Sequence, residues 1–495
     1  MILPYYIIIP LLAAFLITMI AGKKDNWAVI LSVISVSALL VLSLYSFITM
    51  KDQTVTYEMS AWSIPYGIVL VQDALTSFIL VMVSIISFTS LIFSIQYIRH
   101  LSMDWKYYAL FMLLVTGMNG VIATGDLFNL FVFMEIALFS AFALVAYGSK
   151  AEEFEAAFKY AVMGSISSVL ILAGIAVLYS ATSNLTMAKI AEVLPTVDQK
   201  IVFWVGGLFI AGFGLKAAAM PFHAWLPDAH SSAPAPISSM LSGVLIKALG
   251  IYVMIRIFYN VFNAPEIFTK IFLVLGTISI IVGVFLAIGQ WDMKRLLAYH
   301  SISQIGYILL GMGIATPLGI LGAVFHLFNH AIFKSLLFYN AGSVEMALGT
   351  RDLRKMGNLM KLLPTTSQTS LIASLSISGI PPFNGFFSKL IIIIAALQAG
   401  LPWYAVFAII GSLLTLASFM KVQRYGFKGE NVVEAVTNKV GWRMNSAMIT
   451  LAVLCIVTSL MIVPGIKEVT LDPVVKVITD KTEYIQLVLG GMNGN

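Results

Sequence analysis

The sequence is dominated by unbroken apolar runs of about twenty residues, the length at which a helix crosses the hydrocarbon core of a bilayer. Fourteen are read, near residues 2–21, 27–50, 75–94, 107–125, 127–147, 160–182, 201–220, 237–259, 268–289, 296–314, 317–343, 368–398, 403–423 and 446–464. Only 11% of the 495 residues are charged, against roughly 25% in a soluble domain. The expected fold is all-α, a polytopic membrane protein of about 14 transmembrane helices. The first run has no basic residue before it and no small-residue cleavage site, so it reads as a retained span. The eight tryptophans, at 27, 62, 105, 204, 225, 291, 403 and 442, fall near run ends, as an interfacial belt requires.

Several function classes are excluded. The chain is basic, with net charge +6, but its cations are dispersed and form no nucleic-acid stripe. One cysteine, Cys455, lies in an apolar run, so no intrachain disulfide or cysteine–metal cluster is expected. No nucleotide loop, Fe–S framework or nucleophile–base motif is present. No catalytic residue, cofactor or metal is therefore assigned to this chain, and any redox chemistry would belong to partner subunits.

The loops after odd-numbered runs hold seventeen Lys and Arg, those after even-numbered runs five. The positive-inside rule then places the odd loops in the cytoplasm and both termini outside. Four basic residues remain for the membrane interior: Lys216, Lys247, Lys334 and Lys389. Glu135 is the one acid deep in a run, whereas Asp73 and Asp126 sit at run edges and read as boundary residues in reach of water. Residues 184–200 and 465–495 are polar enough to lie at the surface.

Two runs are broken by proline, "AAAMPFHAWLPDAH" around Pro221 and "ISGIPPFNGFFSK" around Pro382. Proline removes a backbone donor, and the freed carbonyls need protein or cavity water. The breaks fall in spans 7 and 12, five spans apart. An odd offset reverses direction, so spans 4–8 and 9–13 are candidate inverted copies. Spacing alone leaves that repeat open. It divides the chain into residues 1–106 (spans 1–3), 107–260 (first repeat), 261–425 (second repeat) and 426–495 (span 14 and tail).

A lysine near a helix end can snorkel to the interface, which is the competing reading for Lys216. Lys247 lies about ten residues from either end of span 8, too far for its stem to reach bulk water. Burial drives lysine and glutamate toward their neutral forms and mutual attraction drives them back, so a Glu–Lys pair can switch. Losing one member of a buried pair costs ~3–5 kcal/mol, comparable to the ~2.3 kcal/mol for moving a charge through 100 mV. "FHLFNHAIFK" adds His326, His330 and Lys334 at i, i+4, i+8, one stripe along a helix. Histidine titrates near neutrality and suits a relay. A metal site has the right i, i+4 spacing but lacks a third ligand, and core packing is the other alternative. His300 reads as an inlet group or an interface residue, and His223 and His230 as funnel or surface residues.

Five long motifs, "TGDLFNLFVFMEI", "PFHAWLPDAHSSAPAPISSMLSGVLIKALGIY", "DMKRLLAYHSISQIGY", "FHLFNHAIFKSLLF" and "GIPPFNGFFSK", resemble the antiporter-like proton-translocating subunits of respiratory complex I. The resemblance spans roughly residues 60–425. It looks closer to the D subunit of Mrp-type cation/proton antiporters and to its counterparts in archaeal membrane-bound hydrogenase and sulfur-reducing complexes. It implies fourteen helices with inverted repeats in spans 4–8 and 9–13, and a prokaryotic cell membrane. Residue by residue it implies that Glu135 is the span-5 glutamate, and Lys216 and Lys247 the lysines of spans 7 and 8. His330 and Lys334 then belong to the span-11 relay, and Lys389 is the ionisable residue of span 12. Some members carry glutamate there, so lysine leaves the exit chemistry open. With the sequence ending soon after span 14, the long lateral helix of the largest antiporter-like subunit is not expected, which argues against the distal complex I subunit and its Mrp A-type relative.

The expected function is that of a proton-translocating subunit of a respiratory complex or an Mrp-type antiporter. Protons, with sodium as an alternative, would move along Glu135, Lys216, Lys247, His326, His330, Lys334 and Lys389. Expected partners are other membrane subunits, including further antiporter-like ones, and the bilayer. The rival readings are a self-sufficient sodium/proton or solute transporter, which would want clustered oxygen ligands, and a structural anchor for redox subunits.

Overall fold

The computed structural model describes residues 2–20, 25–50, 53–59, 62–101, 104–429 and 438–490. A helical hairpin, α1 (Tyr5–Ile20) and α2 (Asp25–Thr49), leads to an antiparallel ribbon of β1 (Val55–Glu58) and β2 (Val69–Gln72). Helices α3 (Ala74–Leu101), α4 (Trp105–Ala123), α5 (Leu127–Val145) and α6 (Ala151–Thr182) follow, then the short α7 (Met187–Val193). α8 (Gln199–Ala217) and α9 (Leu226–Ser232) are the halves of one broken helix. α10 (Ala235–Met240) and α11 (Val253–Ile255) are joined by π-helical turns into a single rod, Ala235–Val261. Next come α12 (Glu266–Ile288), α13 (Met293–Ile314), α14 (Pro317–Leu348) and the single turn α15 (Leu359–Leu362). α16 (Pro364–Ser378) and α17 (Asn384–Gln398) form the second broken helix, and α18 (Pro402–Val422) runs on as a π-turn to Phe427. α19 (Trp442–Val457) precedes α20 (Ile466–Thr470), α21 (Asp472–Thr479) and α22 (Lys481–Gly490).

Each of the fourteen apolar runs overlaps a helix, and the twelfth overlaps two, α16 and α17, on either side of its break. Among the described residues, eleven helices are long and apolar enough to cross a membrane. The others fall short for physical reasons: α1 and α17 have only 16 and 15 residues, and α13 carries the polar set "MKRLLAYHSISQ" in its first half. Helix starts follow side-chain chemistry. The Asp126 carboxylate accepts from Asn129 N at 2.7 Å and Asp292 from Arg295 N at 2.8 Å, satisfying free amide donors of α5 and α13. Both breaks open on left-handed residues, Ala218 (φ 53°) and Gly379 (φ 75°).

The Ala235–Val261 rod and α14 are buried throughout, while the second helix is largely exposed. The rod sits closely against its neighbours because two glycines permit it. A Cβ on Gly243 would collide with Ser335 Oγ, and one on Gly250 would lie 2.7 Å from the backbone nitrogen of Ala217. This contact seats the rod against α14 on one side and α8 on the other.

Three expectations are corrected. Asp73 is not a boundary residue in water but is 1% exposed, and Arg256, near the end of the run 237–259 and absent from the four cations expected inside the membrane, is buried inside the rod. The two form a fork, Nη1–Oδ2 2.7 Å and Nη2–Oδ1 2.9 Å, with Thr76 Oγ1 accepting at 3.1 Å. Desolvation favours such pairing, because one charge alone in this place is costly. Trp225 leaves the interfacial belt: its ring stacks on Tyr160 at 4.3 Å and its indole donates to Leu215 O at 2.9 Å, occupying a carbonyl freed by the first break. His230, open to a surface reading, is fully buried. The polar segments fold into short helices, and Val474, Ile478 and Tyr484 are buried against the bundle.

Candidate functional site

The first broken helix brings Lys216 to the last turn of α8, 4% exposed. It does not snorkel. Its ammonium turns inward, donating to Gly164 O at 2.9 Å and Ser168 Oγ at 3.0 Å, both on α6. Ser168 donates in turn to Glu135 Oε1 at 2.5 Å. The carboxylate on α5 thus reaches the ammonium through one hydroxyl. Glu135 is half-buried and shares its helix with the exposed Phe128, Val132 and Phe139, so this end of the site lies near the outer face of the bundle.

A small cavity bordered by Lys216, Trp225, Leu245, Ile246 and Leu249 separates Lys216 from the turn that carries Lys247. Lys247 is fully buried in the second π-turn of the rod. π-Turns widen the helix and often accompany functional positions. The Lys247 ammonium donates to Ser242 O at 2.5 Å. The Ser242 hydroxyl meets Ser301 Oγ on α13 at 2.7 Å, and Ser301 donates to Leu297 O at 3.2 Å. The Lys334 ammonium, from α14, donates to the same Leu297 carbonyl. A row of polar groups, interrupted only between the Ser242 carbonyl and the Ser242 hydroxyl, therefore runs from Lys247 to Lys334 across three helices.

From Lys334 the stripe climbs α14 one turn at a time. His330 and His326 stack with ring centroids 6.2 Å apart and planes 19° apart. Both His330 nitrogens and His326 Nε2 have no hydrogen-bond partner, although both residues are fully buried. Buried polar atoms without partners are rare, and these nitrogens keep their capacity to bond a proton or a water. His326 Nδ1 lies 2.9 Å from Ser388 Oγ, beside Lys389 in sequence. Lys389 donates to Ile377 O at 2.7 Å and Ser412 Oγ at 3.5 Å, and Ser412 donates to Ser378 O at 2.8 Å. Carbonyls freed by the second break are thus satisfied by a charge-bearing side chain and its neighbour.

All seven residues expected from the sequence lie in this row, and six are fully or nearly fully buried. Sequence reasoning missed the bridges: Ser168, Ser242, Ser301 and Ser388. It also missed Tyr307, whose ring lies 5.5 Å from His326 and 4.5 Å from the Lys389 ammonium. The open histidines separate. His300 is fully buried, paired to Ser418 Oγ at 2.8 Å. His230 is buried between Trp225 and Phe338 and within electrostatic reach of Lys334 and Lys247. His223 stays partly exposed. Asp126, expected at a run edge in reach of water, is instead buried by the turn it caps, and that burial raises its carboxyl above the ordinary range against the backbone amides of Asn129 and Phe128. Among the described residues no group of His, Cys, Asp and Glu is arranged to hold a metal ion.

One end of the molecule is tied by charge around α9. Asp228 pairs with Lys159 and Arg295, both at 2.9 Å. The carbonyls at the other end of α9 accept from Arg351 (Ser231 O, 2.5 Å) and Lys294 (Ala233 O, 2.6 Å). The short helix between Lys216 and the rod is held by side chains from both halves of the chain.

Comparison with known proteins accords with this architecture. Residues 124–415 match the family model described as NADH:quinone oxidoreductase/Mrp antiporter, TM. The chain is 34% identical over 491 residues to the D subunit of the Na(+)/H(+) antiporter of Alkalihalophilus pseudofirmus, covering 98% of this chain and 99% of that protein. It superimposes on a chain of the Mrp complex from Dietzia sp. DQ12-45-1b with TM-score 0.91 and 26% identity over 99% of both chains. A chain of the membrane-bound sulfane sulfur reductase, an archaeal respiratory membrane complex, gives TM-score 0.89 and 31% identity over 98% of this chain and 99% of that one. A mostly helical bundle, a matching family model over more than half the chain and a full-length relative lead to one conclusion: this multi-pass membrane protein belongs to the NADH:quinone oxidoreductase/Mrp antiporter transmembrane family.

Proposed function

We propose that this chain is the proton-translocating subunit of a multisubunit membrane complex, and that the buried row is its path. Protons arrive near the first break, at Lys216 and Lys247, from the cytoplasmic side. Glu135 modulates Lys216 through Ser168 and, being half-buried beside exposed apolar residues, couples it to a neighbouring membrane subunit. Lys334, His330 and His326 pass the proton laterally to Lys389, beyond which a second half-channel opens outward.

The observation that carries this reading is the row of polar groups Lys247–Ser242–Ser301–Leu297–Lys334, which sets two buried amines at the two ends of a pair of bonded hydroxyls. The Ser242 and Ser301 hydroxyls each donate and accept, whereas the carbonyls that receive the two ammonium groups only accept, so handing a proton between the amines requires a lysine stem to swing to a hydroxyl or a water to bridge them. The relatives named above, an antiporter subunit and chains of Mrp and sulfane sulfur reductase complexes, support a subunit role. Inverted repeats over spans 4–8 and 9–13, within residues 107–260 and 261–425, are part of the proposal. They are supported by a broken helix in each half, each with a left-handed residue at the break, Ala218 and Gly379, and a lysine beside it, Lys216 and Lys389. Further support comes from the π-turns that end spans 8 and 13, Arg256–Val261 and Gln423–Phe427.

Lys247→Ala tests the function. In the assembled complex reconstituted in vesicles, proton transport should fall to background with the subunit composition unchanged. Transport at the normal rate would overturn the assignment.

A further inference from the structure

One cavity lies away from the row. It is a groove of about 650 Å³ between α16 and the end of α18. Its walls carry Leu371, Leu375, Leu416 and Met420, and its rim carries Arg424 and Lys428, both exposed. Gln423 is spoken for, its amide donating to Ser370 and Ser374 Oγ at 3.1 Å each. The two cations are not: neither forms an ion pair among the described residues, and the Arg424 guanidinium rests only over the Tyr425 ring at 5.8 Å.

The groove sits at a membrane boundary. Tyr425 packs edge-on against Trp291 at 5.2 Å, and the Lys421 ammonium lies over the same indole at 5.0 Å while donating to Ile288 O and Gln290 O. Aromatic rings and snorkelling cations at one level are the signature of the headgroup layer. A slot apolar below that level and doubly cationic at it has the polarity of one molecule type, an acyl chain under an anionic phosphate.

We propose that this groove is a binding site for an anionic phospholipid, its phosphate between Arg424 and Lys428 and one chain along Leu371, Leu375, Leu416 and Met420. Charge complementarity selects this occupant. A zwitterionic lipid fills the apolar wall but brings its own ammonium and adds no net negative charge to the two cations, whereas an anionic lipid adds one; a free anion leaves the apolar wall wet. The site also touches the interior. Phe419, which lines the groove, packs 4.8 Å from the His300 ring, whose partner is the adjacent Ser418. An occupied groove therefore holds Phe419 against a buried histidine next to the Leu297–Ser301 junction.

The test uses the purified complex in detergent and compares thermal unfolding on adding phosphatidylglycerol, phosphatidylcholine of the same chains, or inorganic phosphate. Phosphatidylglycerol alone should raise the melting temperature. Arg424→Gln/Lys428→Gln should weaken its binding by roughly 30-fold, the factor that two interfacial cations at ~1 kcal/mol each provide. Lys200→Gln, at a separate apolar groove lined by Phe203 and Trp204, should leave that binding unchanged. Both altered cations are exposed, so folding is not at stake. An equal response to phosphatidylcholine or to inorganic phosphate overturns the proposal. So does undiminished phosphatidylglycerol binding by the double variant.

Discussion

Ser168 keeps two ionisable groups in touch without letting them pair directly. Its hydroxyl donates to Glu135 and accepts from Lys216, so a change of charge on either is felt by the other through one rotor. Hydrogen bonds to charged groups are worth ~1.5–3 kcal/mol, and each 1.36 kcal/mol is a factor of about ten in rate. Ser168→Ala should therefore slow proton transport by about tenfold or more while the complex still assembles, and Ser168→Thr, which keeps the hydroxyl, should restore most of it. Flux in reconstituted vesicles measures both. Wild-type flux in Ser168→Ala would detach Glu135 from the path. At this scale the lysines were legible in the sequence because an ammonium inside an apolar run is anomalous on sight. The serines were not, since serine is common in membrane helices and the face it presents is settled only by packing. Asp73 and Arg256 were misjudged for a related reason. Each stands near a run end, where water is the default neighbour, and only the tertiary pairing of α3 with the rod removes it.

Among the elements, the Ala235–Val261 rod has the most exacting surroundings. It carries Lys247, touches α8 at Gly250 and ends in a π-turn whose Arg256 grips Asp73. Gly250→Ala puts a methyl 2.7 Å from Ala217 N, Cβ and, at 2.8 Å, Cα. Overpacking of this kind costs ~1–3 kcal/mol, so the variant should melt at a lower temperature with every titrating group intact. The Arg256–Asp73 fork gives a sharper case. Arg256→Met strands a buried carboxylate and should destabilise by ~3–5 kcal/mol, whereas Arg256→Met/Asp73→Asn should recover most of that. Thermal unfolding of the three proteins decides it, and a double variant as unstable as the single would deny that the charges are coupled. Helix existence was readable because run length is set by bilayer thickness. The π-turns were not, because nothing in hydropathy distinguishes an i→i+5 turn from an i→i+4 one. Both breaks were legible from proline chemistry, but what fills them, Trp225 on Leu215 O and Lys389 on Ile377 O, follows from side chains meeting across the fold.

Considered whole, the molecule is polarised along its membrane axis. Basic side chains from three odd-numbered loops converge on α9 at one end, and the Arg256–Asp73 fork lies at the other under Tyr484, whose ring is 5.2 Å from the guanidinium. Asn260, one turn on from Arg256, donates to Val477 O at 2.7 Å and ties the tail to that end. The orientation we propose, both termini outside, follows from loop charge. With the buried Cys455 replaced by serine, Thr482→Cys should react with an impermeant maleimide in intact cells, and Lys355→Cys should react only after permeabilisation. The reverse pattern would invert the direction of transport we assign. The family's likeness extends over nearly the full length, so overall architecture was the most legible property of all. The lateral continuity of the row was not, since it depends on five helices being in register. That row has a further property. Lys247, Lys334 and Lys389 lean on main-chain carbonyls rather than on acids, and a carbonyl cannot gain or lose charge to accommodate a newcomer. Positive charge admitted at one place therefore makes every neighbouring place less hospitable. The natural behaviour of such an arrangement is a queue, in which a new arrival is tolerated only when the occupant at the far end departs.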